Sequence, residues 1–116
     1  MEYQGDPRDA PLAWQVHNIE AEQSLLGAIL LNNEAYRLIQ KYVSHEHFYE
    51  PLHQNIFHSM AQLLDAGKLV DVRLLKSFIP NDLVAPGMTA SEYLARLAVE
   101  STTIINAPDY ARIIRE

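Results

Sequence analysis

An all-α fold, a bundle of about six short helices, is predicted for this chain on three observations. Apolar residues recur at helical spacing along most of the sequence. Alternating strand patterns are absent. Helix start and stop residues fall between the apolar segments.

Residues 1–16 carry Gly5, Pro7 and Pro11 among polar residues and read as a flexible tail with Trp14 as its one large anchor. The ordered domain is then 17–116. Asn18 is a candidate N-cap, and Glu20 and Glu22 then fall in the first turn, where the helix dipole favours carboxylates. Ile19, Leu26, Ile29 and Leu30 form the first apolar face. Gly27 lies inside this helix, where it costs about 1 kcal/mol against Ala, so it predicts close approach of another backbone. Asn32-Asn33 breaks the helix and caps a second one, with Ala35, Leu38, Ile39 and Tyr42 as its stripe.

Ser44 to Glu50 is a polar-aromatic connector, and Pro51 suits a first helical turn. Ile56, Phe57, Met60, Ala61 and Leu64 face the core, and Gly67 closes that helix as a left-handed C-cap residue. Asp71 caps a short helix with Val72, Leu75, Phe78 and Ile79, which Pro80 stops. A loop with Pro86-Gly87 leads to a capping box at Thr89 and Glu92. Ala90, Tyr93, Leu94, Leu97 and Ala98 follow as a core stripe. After a connector from Ser101 to Asn106, Pro108 and Asp109 open a last helix with Tyr110, Ile113 and Ile114 on one face. No stop residue follows, which predicts a chain cut inside a helix.

Composition excludes several function classes. The 116 residues hold 9 Lys or Arg against 15 Asp or Glu, a net charge of −6 with no basic run, which argues against a DNA-binding face. With no Cys there is no disulfide, thiol nucleophile or thiolate metal site. The apolar run Leu25 to Leu31 is too short to span a bilayer, and the N-terminus does not read as a signal peptide, so a soluble cytoplasmic protein is expected. Four isolated glycines make no phosphate loop.

His45, His47, His53 and His58 cluster in sequence, but their spacing does not fit a zinc site, and scattered surface or boundary histidines are expected instead. Glu20 and Glu22, two apart, point to different helix faces and read as a solvated helix start, not an acid–base pair. No serine has a Gly-flanked elbow. No catalytic, cofactor or metal residue is assigned. The residues alone lead to an acidic helical module for interaction or assembly.

Four segments carry more. His17-Asn18-Ile19-Glu20-Ala21-Glu22-Gln23-Ser24-Leu25-Leu26-Gly27 resembles the opening signature of the N-terminal domain of bacterial replicative DNA helicases of the DnaB type. Phe48 to Phe57, Tyr93-Leu94-Ala95-Arg96-Leu97 and Tyr110 to Glu116 resemble that family's later landmarks, in order. Val16 before the first motif, and Pro86-Gly87 in place of paired glycines, depart from the pattern. The resemblance implies a parent enzyme, a hexameric helicase that unwinds DNA with ATP and Mg²⁺ in a motor downstream of a helical head and hairpin. The cut would fall at the start of that hairpin, leaving a non-catalytic fragment. It implies self-association in a dimer or hexamer collar and docking of the C-terminal domain of DNA primase, with a helicase loader as a candidate second partner. Carried over by motif, the primase contacts would be Glu20 and Tyr93. Tyr93 also reads as a core residue, and Glu20 as a dipole-stabilised surface carboxylate. The alternative is a stand-alone helical adaptor with no helicase attached.

Overall fold

The computed structural model describes residues 12–101 and 106–115, which form six α-helices and no strand. Residues 1–11 of the expected tail, 102–105 of the last connector and Glu116 lie outside the described residues. The helices are α1 (Leu12–Leu31), α2 (Glu34–Ile39), α3 (Pro51–Asp65), α4 (Val72–Leu75), α5 (Ala90–Glu100) and α6 (Ala107–Arg115). Short 3₁₀ turns occupy His45–His47, Lys76–Phe78 and Asn81–Leu83. None of the described helices is long and apolar enough to cross a membrane.

Helix α1 is the axis of the fold. Residues 25–29 are five consecutive buried positions, more than a full turn, so this stretch of the helix is packed on every side. It packs most extensively against α5 and α6 and also touches α3 and α2. It also starts earlier than the sequence suggests. Leu12–Asn18 are helical, so Asn18 is not the N-cap and Glu20 and Glu22 lie in the helix interior.

Gly27 sits where α1 crosses α5. A Cβ there would collide with the Leu97 carbonyl oxygen and lie 3.1 Å from the Ser101 Cβ, so the glycine is what lets the two backbones approach. The other punctuation is equally local. The Gly67 and Lys68 N–H groups donate to the Leu64 and Leu63 carbonyls, each at 3.0 Å, and Gly67 takes φ 82°, a Schellman ending for α3. The Asp71 carboxylate accepts the Leu74 N–H at 2.8 Å. The Thr89 Oγ1 accepts the Glu92 N–H at 3.1 Å while Glu92 accepts the Thr89 N–H at 3.3 Å. At the α1–α2 corner the two asparagines divide the work. Asn32 caps the Glu34 N–H at 2.9 Å, whereas the Asn33 side chain accepts the Val70 N–H and donates to its carbonyl.

The face of α2 is turned from the expected one. Ala35, Tyr36, Ile39 and Val43 are buried, while Leu38 and Tyr42 are exposed. The helix stops at Ile39, so Tyr42 is no longer on a helical stripe. On α6, Ala107, Ala111 and Ile114 take the core positions and Ile113 is exposed. Phe78, also expected inside, is exposed on its 3₁₀ turn.

Tyr36 has a consequence for alkaline stability. Its ring packs on Phe57 and its hydroxyl donates to Asp65 at 3.0 Å. Burial first, then the Asp65 hydrogen bond and charge, push the phenol from 10.0 up to about 12. A raised phenol holds its proton longer in the fold than in the unfolded chain. Its contribution is therefore intact below the unfolded value near pH 10 and is lost as pH rises from there through about 12. Unfolding curves of Tyr36→Phe should show a shallower fall across that range than wild type; parallel curves would mean that Tyr36 does not carry the effect.

Candidate functional site

Beneath the surface that holds Glu20 and Tyr93 runs a chain of buried polar groups. Glu22 on α1 and His53 on α3 are each 1% exposed. The Glu22 carboxylate accepts the Tyr49 N–H at 2.6 Å and the Glu50 N–H at 3.3 Å, two donors at the start of α3 that have no partner within the helix. It also lies 2.8 Å from His53 Nδ1. His53 Nε2 lies 2.5 Å from the Tyr93 hydroxyl on α5, and that hydroxyl accepts from Gln23 Nε2 at 3.2 Å.

One proton arrangement satisfies every group. His53 donates from Nδ1 to Glu22 and accepts the Tyr93 proton at Nε2, and Tyr93 accepts in turn from Gln23. The His53 and Tyr93 rings lie nearly coplanar across this bond, with centroids 5.9 Å apart and planes 21° from parallel. Three helices are thus tied by polar contacts. Each link is strengthened by the apolar packing around it and would be costly to leave unmade.

The order carboxylate, imidazole, hydroxyl invites comparison with a nucleophilic triad, but the chemistry runs the other way. Burial pushes the Tyr93 phenol up, and the nearby carboxylates Glu50, Glu22 and Glu100 push it further, against a lowering by Gln23. A raised phenol stays protonated at neutral pH and is a poor nucleophile. The chain holds protons in place and fixes the geometry of three helices.

Above it lie two clefts. One, of about 410 Å³, is lined by Glu20, Gln23, Ser24, Glu100, Asn106 and Tyr110 among others. The other, of about 390 Å³, is lined by Ile19, Leu52, Leu83, Met88, Tyr93 and Arg96 among others. Glu20 is exposed and Tyr93 half-buried. Gln23 joins the two sequence-predicted residues, lining the cleft with Glu20 and bonding the Tyr93 hydroxyl.

The expectation of surface or boundary histidines fails for His53, and the solvated reading of Glu22 fails with it, because each is the other's buried partner. Both sit on apolar stripes, Glu22 one turn before Leu25 and Leu26, His53 one turn before Ile56 and Phe57. A lone polar residue on each of two core faces is the signal that could have paired them. The remaining histidines are elsewhere. His45 and His58 meet edge to face with centroids 4.5 Å apart, and His47 Nδ1 accepts the Ser44 N–H at 2.9 Å. Among the described residues no three His, Asp or Glu side chains converge in a set that could hold a metal ion. Nor does any described glycine line a phosphate cradle: Gly27 is pressed against α5, and Gly67 and Gly87, both at φ 82°, occupy turns.

Fold and site together define an all-α domain in which a buried polar chain braces the surface above it. The family model described as the DnaB-like helicase N terminal domain matches residues 15–116, and the chain belongs to that family. It is 40% identical over 97 residues to the replicative DNA helicase DnaB of Rickettsia bellii, covering 84% of this chain and 20% of that protein. It is 32% identical over 98 residues to the DnaB of Treponema pallidum, covering 84% of this chain and 22% of that protein. The crystal structure of the N-terminal domain of DnaB helicase from Mycobacterium tuberculosis superposes with a TM-score of 0.72 at 28% identity, over 84% of this chain and 70% of that one. The chain spans about a fifth of the length of the curated relatives it matches.

Proposed function

We propose that this chain is the assembly and primase-docking domain of a cytoplasmic, hexameric replicative DNA helicase, and that Glu20 and Tyr93 contact the C-terminal domain of the primase. The family match supports the helicase reading. The observation that carries the docking reading is the pairing of an exposed carboxylate, Glu20, with a half-buried aromatic, Tyr93, through Gln23 on a braced surface. Glu20 and Glu100 in one cleft suit a basic segment of a partner, and Tyr93 is the residue type that anchors interfaces. In this reading the domain self-associates in the hexamer collar, a helicase loader is a further partner, and DNA is not bound directly. ATP and Mg²⁺ belong to the motor of the parent enzyme. The described glycines, Gly27, Gly67 and Gly87, do not fit a nucleotide.

Calorimetric titration with the isolated primase C-terminal domain tests the proposal. Wild type is expected to bind, and Glu20→Ala and Tyr93→Ala are each expected to weaken binding about tenfold. Helicity of each variant is checked first, because Tyr93 also braces the fold. No binding by wild type would overturn the proposal, and undiminished binding by a folded Glu20→Ala would remove Glu20 from the surface.

A further inference from the structure

Tyr93 has one hydroxyl proton, and the chain beneath it uses that proton. The hydroxyl points at His53 Nε2 at 2.5 Å, and Gln23 Nε2 reaches the same oxygen at 3.2 Å. The imidazole meets the ring at its hydroxyl end, with the two planes 21° from parallel and the centroids 5.9 Å apart. The hydroxyl is therefore already partnered inside the protein, and what Tyr93 offers to the outside is the remainder of its ring, in the wall of a cleft with Ile19, Leu52, Leu83 and Met88. The His53 ring is itself held at Nδ1 by Glu22, whose other contacts are the backbone at the start of α3.

We propose that His53 and Glu22 are positioning residues for partner docking: neither touches the partner, and both act by fixing the ring of Tyr93. This rests on the docking role proposed above and goes beyond it. It assigns a function at the surface to two side chains that are themselves 1% exposed. It also says that the Tyr93 hydroxyl acts through its internal bonds, not by bonding the partner. A half-buried ring with a free torsion must be immobilised on binding, and one already held needs no such ordering.

A double-mutant cycle tests the proposal, with His53→Gln, Tyr93→Phe and the double variant titrated against the primase C-terminal domain. Each single variant is expected to weaken binding about fivefold to tenfold, the loss of one hydrogen bond's worth of orientation. The double variant is expected to be no weaker than the worse single one, because both cut the same link. Melting temperatures measured on the same samples separate docking from stability. Losses that multiply in the double variant would overturn the proposal, and so would variants that lose stability but bind as wild type. Should His53→Gln fail to fold, Tyr93→Phe decides alone: weaker binding at an unchanged melting temperature supports the proposal and unchanged binding overturns it. If wild type does not bind the primase domain, the docking reading falls and this inference with it; if wild type binds and the cycle is multiplicative, only the inference falls.

Discussion

Gly27→Leu should destabilise the fold by roughly 3 kcal/mol or more, lowering the melting temperature by on the order of 15 °C. The cause is steric. The first atom of any side chain at position 27 meets the Leu97 carbonyl oxygen, a backbone atom that moves only if α5 moves. Ser101 closes the same space at 3.1 Å. Gly27→Ala is the sharper diagnostic, because two effects oppose each other. Helix propensity alone would make alanine more stable by about 1 kcal/mol, whereas the contact with α5 makes it less stable. Thermal unfolding by circular dichroism should find both variants below wild type, with leucine the lower. A more stable alanine variant would mean that α1 and α5 are not pressed together at this point.

Glu22→Ala should cost about 3 to 5 kcal/mol. The substitution removes the acceptor for the Tyr49 and Glu50 N–H groups and for His53 Nδ1, and leaves all three facing a small cavity. Glu20→Ala, two residues away on the exposed side of the same helix, should stay within about 0.5 kcal/mol of wild type. Denaturant midpoints for the two variants make the comparison. Equal effects would contradict a buried, hydrogen-bonded Glu22. Glu22→Gln should fall between, because the amide keeps the volume and one acceptor but turns its N–H₂ toward N–H donors.

These two sites differ in how far they could be read from the residues. Gly27 is legible because its signal is local: a glycine within a helical period calls for a nearby backbone whatever that backbone is. The Schellman ending at Gly67, the Asp71 cap and the Thr89–Glu92 box are legible for the same reason, each being complete within a few residues. Glu22 is not. Its partners lie 27, 28 and 31 positions away, and the link from His53 to Tyr93 spans 40 more. No window of the sequence contains that chain. Its trace is two polar residues standing on apolar stripes, which reads as a helix start at one and a stray histidine at the other. The α1 boundary is hidden by a competing local signal, since Asn18 with acidic residues behind it imitates a cap. The turned face of α2 has a similar origin, because the stripes 35-38-39-42 and 35-36-39-43 are both helical, and what takes Tyr36 inside is its contact with Phe57 and Asp65 on α3, 21 and 29 positions away.

The claim on which the site rests is that His53 stands between Glu22 and Tyr93 with its proton on Nδ1. Long-range proton–nitrogen correlation spectra of the histidine rings at pH 8 measure this directly, with His53→Gln used to assign its signals. The account predicts that His53 Nδ1 resonates as a protonated, pyrrole-like nitrogen and Nε2 as an unprotonated acceptor. Glu22→Ala and Tyr93→Phe, where folded, should each disturb that pattern. A proton on Nε2, or a ring that exchanges between both forms as a free histidine does, would contradict it.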